Sequence, residues 1–182
     1  MTCEFILGGA RSGKSRHAEQ RAHDSGLPVT VIATAEAGDE EMAARIRRHQ
    51  LDRPPHFRTV EAPVRLAETL TQEAAPGRCI IVDCLTLWLS NLLMEADTLA
   101  TAHSADTLPL FSRERDALLA ALPQLPGTIV LVANEVGLGL VPEHPLGRLF
   151  RDEAGRLNQA VAERCQRVVF VAAGLPLVLK GG

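Results

Sequence analysis

The sequence has no tyrosine, one tryptophan and five phenylalanines among its 182 residues. Flat rings on which nucleic-acid bases could stack are therefore scarce. The formal net charge of -3 also provides no overall attraction for a phosphate backbone. Both features argue against a nucleic-acid-binding protein. A hydrophobic fraction of 46% and a charged fraction of 23% are ordinary for a globular chain and exclude the disordered class.

The chain also lacks disulfide-type, membrane-type and secretory-type patterns. None of its four cysteines forms a C-x-x-C pair, so we interpret them as small buried hydrophobes in a reducing compartment. No apolar run approaches the roughly 20 residues that a membrane helix needs, and no basic segment followed by an apolar one opens the chain. We therefore expect a cytoplasmic protein without membrane insertion. The cysteines are Cys3, Cys79, Cys84 and Cys165.

Short apolar segments alternate with helical patterns, and this alternation predicts the fold. The segments are apolar on both faces, as parallel strands covered by helices are. We predict strands at Cys3–Leu7, Pro28–Ala33, Cys79–Val82, Thr128–Ala133 and Val168–Ala172. We predict helices at Lys14–Ser25, Asp39–Asp52, Val64–Glu73, Leu85–Met94, Ser112–Leu122 and Leu146–Arg167. Right-handed crossovers between such strands predict a single α/β domain over residues 1–182, with a mostly parallel sheet flanked by helices.

Three segments depart from this alternation. Phe57–Val60 predicts a short extra strand at an edge of the sheet. Leu175–Leu179 predicts a terminal antiparallel strand, because no room remains for a crossover helix before it. Asp97–Pro109 has no periodicity, and we expect a mobile surface loop there.

The segment GGARSGKS matches G-x-x-x-x-G-K-[ST], the phosphate-binding loop, or P-loop. Its glycines let successive backbone N–H groups face phosphate oxygens, and the helix that follows adds its positive N-terminal end. Lys14 would reach the β- and γ-phosphates, and the Ser15 hydroxyl would bind Mg²⁺. The competing interpretation is a glycine-rich turn with an unrelated lysine. The predicted nucleotide-binding residues here are Gly8, Gly9, Ala10, Arg11, Ser12, Gly13, Lys14 and Ser15.

An acidic residue at the end of a buried strand should complete the metal site. Asp83 directly follows the predicted strand Cys79–Val82 and fits that place. Aspartate is also a favoured N-cap, so Asp83 could cap the helix that begins near Leu85, and both roles could hold together. We predict Ser15 and Asp83 as the Mg²⁺-binding residues.

The residues after the predicted strand Thr128–Ala133 weigh against a regulatory GTPase. They are Asn134-Glu135-Val136-Gly137, without the lysine and the aspartate of an N-K-x-D base-reading motif. Asn134 and Glu135 still follow the carboxyl end of a strand, where open α/β sheets bind ligands. A polar turn is the alternative for these residues.

His49 lies at the edge of the apolar stripe of the predicted helix Asp39–Asp52, with arginines around it. A histidine in such a place usually has a surface or packing role. Neighbouring arginines would, however, neutralise phosphate oxygens and disfavour the imidazolium, which leaves a neutral nitrogen able to attack phosphorus. The spacing leaves both interpretations open.

The chain resembles the bifunctional adenosylcobinamide kinase/adenosylcobinamide-phosphate guanylyltransferase family of cobalamin biosynthesis, over nearly its whole length. The motifs that carry the resemblance are GGARSGKSR at Gly8–Arg16, IATA at Ile32–Ala35, EMAARIxxH at Glu41–His49, RP at Arg53–Pro54, RTVE at Arg58–Glu61, NEVGxG at Asn134–Gly139 and RDxAGRxNQ at Arg151–Gln159. Members often have two adjacent histidines, and here Arg48 replaces the first. Phe57 stands where a tryptophan often follows His56.

The resemblance implies a P-loop, RecA-like fold, a homotrimer and two reactions. In the first, ATP or GTP phosphorylates the aminopropanol hydroxyl of adenosylcobinamide. In the second, GMP passes from GTP to the new phosphate through a GMP-histidine intermediate, with His49 as the nucleophile. Beyond the loop, the resemblance implies nucleotide contacts at Ala33, Thr34, Ala35, Gln50, Leu51, Asp52, Arg53, Glu61 and Asp83.

Two further expectations accompany this function. Corrinoid contacts should follow the carboxyl ends of the strands, with Asn134, Glu135 and Arg151 as candidates. One fixed nucleotide pose cannot easily present both the γ-phosphorus to the acceptor and the α-phosphorus to His49, so we infer that either the helix or the nucleotide moves. The alternatives are a plain small-molecule kinase in which His49 is structural, and a non-catalytic GTP switch.

Overall fold

The structure is a computed structural model that describes residues 2–37, 40, 43–44, 47–48, 53–94 and 108–182. Strands and helices alternate along these residues. The strands are β1 (Thr2–Gly8), β2 (Val29–Ala33), β3 (Arg58–Glu61), β4 (Cys79–Asp83), β5 (Thr128–Asn134), β6 (Arg167–Ala172) and β7 (Leu175–Lys180). The helices are α1 (Lys14–Asp24), α2 (Leu66–Glu73), α3 (Leu85–Met94), α4 (Pro109–Ala121), which a 3-10 turn (Leu122–Gln124) extends, and α5 (Pro145–Arg164).

The seven strands form one sheet in the order β3-β2-β4-β5-β1-β6-β7. All neighbouring pairs are parallel except β6 and β7, which are antiparallel. The first strand therefore lies inside the sheet, between β5 and β6. The predicted fold class, a mostly parallel sheet flanked by helices with a terminal antiparallel strand, is confirmed.

Burial explains why these apolar segments become central strands. Every residue of β2 is buried, as are the interior residues of β4 and β5, because helices cover both faces of the sheet. One apolar cluster joins the sheet to α2, α3, α4 and α5, and a smaller one joins it to Ala18 and Ala22 of α1. Trp88 lies fully buried in the larger cluster, and its indole N–H donates to the Val64 carbonyl at 2.7 Å.

Several predicted boundaries are wrong. Helix α4 begins at Pro109, ahead of the predicted start at Ser112, because proline suits the first turn of a helix, where its missing N–H leaves no bond unmade. Helix α5 ends at Arg164 instead of Arg167, which begins β6. The chain leaves the helix at Cys165, which is extended, and the backbone N–H of Gln166 donates to the Cys3 carbonyl at 3.0 Å.

The cysteines are small buried hydrophobes, as predicted, since all four are free and buried. Cys3 and Cys165 lie side by side, with their sulfur atoms 2.7 Å apart. Among the described helices, none is long and apolar enough to cross a membrane.

Two predicted segments fall largely outside the described residues. Of the predicted helix Asp39–Asp52, the structure describes Glu40, Ala43, Ala44, Arg47 and Arg48, all helical. Of the predicted loop Asp97–Pro109, it describes Leu108 and Pro109.

Candidate nucleotide-binding site

The phosphate loop connects the end of β1 to the start of α1, at the carboxyl edge of the sheet. Its backbone closes on itself, because the Ser12 N–H donates to the Gly9 carbonyl at 3.2 Å. Gly13 stands before the helix with φ at 97°, a left-handed conformation that glycine adopts without steric cost. The predicted strand–loop–helix context of the motif is thus present.

The end of β6 and the turn between β6 and β7 pack against the phosphate loop. The N–H of Gly174 donates to the Ser12 carbonyl at 2.8 Å. A Cβ on Gly13 would lie 3.1 Å from the Gly174 Cα, and a Cβ on Gly8 would lie 2.5 Å from the Val171 carbonyl oxygen and against Ser12 Oγ. A side chain at Gly8 would therefore force the loop and the end of β6 apart, and one at Gly13 would require a shift of a few tenths of an ångström at Gly174.

Lys14 is buried at the start of α1, and its ammonium donates to the Gly9 carbonyl at 3.2 Å. Burial lowers the pKa of this ammonium below its ordinary value, while Cys84 and Asp83 act in the opposite direction. Ser12 Oγ is buried in the same loop and has no hydrogen-bond partner among the described residues. An anion that entered the loop would compensate the charge of Lys14 and accept a hydrogen bond from the Ser12 hydroxyl.

Ser15 and Asp83 are far apart in sequence but line the same cleft. Glu19 and Arg53 line it with them. A hydroxyl and a carboxylate are the hard oxygen ligands that Mg²⁺ takes beside phosphates and water, so Ser15 and Asp83 fit the predicted metal. Within the described part of the chain, no cluster of three or more His, Cys, Asp or Glu residues forms a separate metal site.

Arg53 forms an ion pair with Asp83, whose carboxylate the metal would also use. Its Nη2 donates to Asp83 Oδ2 at 2.9 Å, with 8% of the Arg53 side chain and 22% of the Asp83 side chain exposed. The guanidinium thus neutralises Asp83 in a partly buried place, where an unpaired carboxylate would be costly.

The capping position of α3 belongs to Cys84, not to Asp83. The Cys84 carbonyl accepts the N–H of Trp88 at 3.1 Å, which is the first bond of that helix. Of the two roles considered for Asp83, the described contacts therefore support the one at the cleft.

Thr34 holds the end of β4 in place. Its fully buried hydroxyl donates to the Cys84 carbonyl at 2.7 Å and accepts the Cys84 N–H at 2.9 Å. The Thr34 N–H donates to the Asp83 carbonyl at 3.1 Å. Thr34, for which the resemblance implies a nucleotide contact, thus has its side chain engaged in holding the backbone beside Asp83.

The structure brings some predicted residues together and leaves others apart. The phosphate loop, Arg53 and Asp83 share one edge of the sheet. Ala33 and Glu61 end β2 and β3 in register with each other. Glu61 lies on β3, four strands from β1, which separates the two strands by about 19 Å across the sheet. His49, Gln50, Leu51 and Asp52 lie outside the described residues, and Ala35 follows β2 half-buried.

The corrinoid candidates also differ in position. Asn134 ends β5 in register with Gly8, and the N–H of Glu135 donates to the Gly8 carbonyl at 3.0 Å. Arg151 lies on α5, with its Nε 3.6 Å from Asp152. Asn134 and Glu135 thus adjoin the phosphate loop.

Sequence reasoning missed three supporting residues. Thr86 Oγ1 accepts the Asn134 N–H at 2.7 Å, Asn91 Nδ2 donates to the Thr34 carbonyl at 2.7 Å, and Gly174 supports the loop as described. The turn itself is predicted, because Leu175–Leu179 is expected as an antiparallel strand after Val168–Ala172, and in the structure Ala173 and Gly174 both have positive φ. No local pattern indicates that it contacts Ser12.

We predict that Gly8→Ala destabilises the unliganded protein by about 2 kcal/mol, because the new methyl group meets a backbone oxygen and the Ser12 side chain. Gly9→Ala is the matched control, since apart from its chain neighbours no heavy atom of the described residues lies within 4 Å of the place its methyl group would take, and its effect should stay within about 0.5 kcal/mol. Urea unfolding without nucleotide measures both. Equal effects would show that the close approach at Gly8 is unimportant.

We predict that GTP binding weakens as the pH rises through the lowered pKa of Lys14. The free protein releases this proton more readily than a bound complex whose phosphates favour the ammonium, so binding takes up a proton in that window. The dissociation constant should increase by up to about tenfold per pH unit there. Calorimetric titration at several pH values tests this. Lys14→Arg, which stays charged, should remove the dependence, and an unchanged slope in that variant would contradict the assignment.

Solved structures with a similar fold include two ATPases of type III secretion systems. A prototypical ATPase from pathogenic bacteria superposes with a TM-score of 0.56 at 11% identity, over 97% of this chain and 56% of that one. EscN from enteropathogenic E. coli gives a TM-score of 0.57 at 13% identity, over 94% of this chain and 43% of that one. At these identities the likeness concerns the fold, and it supports the predicted P-loop architecture.

Sequence comparisons agree with the predicted family. CobP of Pseudomonas aeruginosa, a bifunctional adenosylcobalamin biosynthesis protein, is 56% identical over 98% of this chain and 97% of its own. The bifunctional adenosylcobalamin biosynthesis proteins CobU of Escherichia coli K12 and Salmonella typhimurium LT2 are each 41% identical over 97% of this chain and 98% of theirs. Residues 4–179 match the family model for cobinamide kinase / cobinamide phosphate guanyltransferase. This chain therefore belongs to that family of bifunctional enzymes of adenosylcobalamin biosynthesis.

Proposed function

We propose that both reactions of this bifunctional enzyme use one nucleotide site, built on the phosphate loop within a single domain of residues 1–182. ATP or GTP would bind there with Mg²⁺. The acceptors are adenosylcobinamide in the kinase step and adenosylcobinamide phosphate in the transfer step. The observation that carries this proposal is the ion pair between Arg53 and Asp83, because it joins the segment after His49 to the phosphate site.

In the kinase step, the substrate hydroxyl attacks the γ-phosphorus in line with the leaving nucleoside diphosphate. The loop N–H groups and Lys14 would hold the phosphates and stabilise negative charge on their oxygens. Ser15 and Asp83 would hold the metal, which neutralises charge on the β- and γ-phosphates when it is bound. The hydroxyl releases its proton to solvent, a P–O bond to the substrate forms, and the bond to the diphosphate breaks with its electron pair on the leaving nucleoside diphosphate.

In the transfer step, a neutral nitrogen of His49 would attack the α-phosphorus of GTP and release pyrophosphate. A phosphate oxygen of adenosylcobinamide phosphate would then displace the histidine, which gives adenosylcobinamide-GDP. Chain length is compatible with this role, since His49 precedes Arg53 by four residues and four extended residues span at most about 14 Å. If Asp83 binds the metal, the Arg53 guanidinium would be released from its ion pair and could contact phosphate oxygens.

We expect the protein to retain acid-labile, alkali-stable label after incubation with GTP labelled at the α-phosphorus and denaturation, because a phosphoramidate has this stability. His49→Ala should remove the label entirely. His56→Ala is a control on a second histidine nearby in sequence and should keep it. An unlabelled wild type that phosphorylates adenosylcobinamide would indicate a plain kinase, and GTP binding without either reaction would indicate a switch.

We also infer that the enzyme assembles as a homotrimer, as the family resemblance implies. The edge strand β7 offers a contact surface, because Leu175, Leu177 and Leu179 alternate along it and each is more than half exposed. Burial of this stripe between subunits would remove apolar area from water. The four free thiols also support a cytoplasmic location.

The assembly is tested by light scattering after gel filtration. We expect a mass three times the 19.6 kDa of one chain. The triple variant Leu175→Ser/Leu177→Ser/Leu179→Ser should reduce this mass while the protein stays folded, because the three side chains contribute little to the subunit core. A monomeric wild type would contradict the trimer. A triple variant that stays trimeric would show that β7 is not part of the interface.

A further inference from the structure

The connection between β5 and α5 carries an apolar patch that the subunit core does not use. Leu138 is 83% exposed, Leu140 96% and Val141 62%. Single exposed apolar side chains are common, but three within four positions form a patch of the kind that marks a binding surface. We call these three residues the Leu138–Val141 patch.

Hydrogen bonds hold both ends of the connection in place, so the patch lies on an ordered loop. At the first end, Asn134 is bound by Thr86, and Glu135 Oε1 accepts the Gly137 N–H at 2.5 Å. At the second end, Arg148 donates to the carbonyls of Pro142 and Glu143. Pro142 also packs so closely on α5 that a Cβ on Gly147 would lie 2.8 Å from it.

The connection that carries the patch begins beside the phosphate loop, at the edge of the sheet where an acceptor must enter. It follows β5, which lies between β1 with the phosphate loop and β4 with Asp83. The bond from the Glu135 N–H to the Gly8 carbonyl ties the start of the connection to the start of the phosphate loop. An acceptor hydroxyl in line with the γ-phosphorus would have to approach this edge.

We infer that the Leu138–Val141 patch binds the corrin ring of the cobinamide substrate, an inference that rests on the proposed function. A corrin ring is a broad macrocycle with methyl groups on its faces and amide side chains on its rim. Its faces match the apolar patch, and its rim amides match Asn134 and Glu135 between the patch and the phosphate loop. The ring would lie on the patch while its hydroxyl-bearing arm reaches the phosphates.

The chemistry of the patch differs from that of the β7 stripe. The stripe extends along the whole of edge strand β7, which begins at the turn that contacts the phosphate loop and runs away from that loop, and a continuous edge suits a protein partner. The patch is short, lies on a loop and is joined to polar groups beside the site, which suits a ligand with both apolar and polar parts. Occupation of the patch by a second copy of the chain is therefore the competing outcome.

The test uses the double variant Leu138→Gln/Leu140→Gln and the control Met94→Gln, which alters an exposed apolar side chain on α3. Equilibrium dialysis of adenosylcobinamide, followed by its visible absorbance, gives the dissociation constant. We expect the double variant to bind at least about tenfold more weakly than the wild type and the control to bind within about twofold, because the control lies outside the patch. GTP affinity, α-phosphorus labelling and mass should remain those of the wild type.

Two results would overturn the inference, and a third would overturn the proposed function on which it rests. Equal corrinoid binding by the double variant and the wild type would exclude the patch as the ring site. A loss of binding together with a lower mass would assign the patch to a subunit contact. A wild type that binds GTP but no adenosylcobinamide would instead overturn the proposed function, and so distinguishes the two failures.

Discussion

The close approach of the phosphate loop to the end of β6 is the constraint on which the site depends. The backbone at Gly8 passes the Val171 carbonyl at a distance that excludes a side chain unless the backbone shifts, and Gly13, with a positive φ, lies in tight contact with Gly174. These contacts set the direction in which α1 begins, and hence the positions of Lys14 and Ser15. Because β1 lies between β5 and β6, the residues that follow these two strands contact the loop from either side. Fold and site are therefore specified together.

Charge balance is the second determinant of the site. Lys14 and Arg53 are both largely buried, and Asp83 is the carboxylate between them. Without ligand, Arg53 neutralises Asp83 while Lys14 bonds to a loop carbonyl, so neither cation is left without a polar partner. Phosphates and a divalent cation would change both arrangements at once. Because a buried ion pair adds little net stability, its partners can be exchanged for a ligand at small cost to the fold.

The sequence was informative where a pattern is local and poor where contacts are distant. Apolar runs predicted five strands, and the exceptional segments Phe57–Val60 and Leu175–Leu179 predicted β3 and β7. The glycines with Lys14 and Ser15 predicted the loop, because backbone geometry and phosphate chemistry restrict those positions directly. Helix ends were less predictable. The helical pattern of α5 continues to Arg167 in the sequence, but in the structure Arg167 belongs to β6 and pairs with β1. The contacts of Arg53, Thr34 and Gly174 join segments far apart in sequence, and no spacing rule predicts them.

The bond between Gly174 and Ser12 has a consequence for the order of folding. During synthesis, the glycine-rich loop emerges early, whereas the hairpin that supports it emerges late. The strand before the loop likewise waits for both of its neighbours, β5 and β6. A nascent chain would therefore have an incomplete loop, with little capacity to hold nucleotide, until the β6–β7 hairpin forms. Nucleotide binding would then report that this hairpin has packed against the loop.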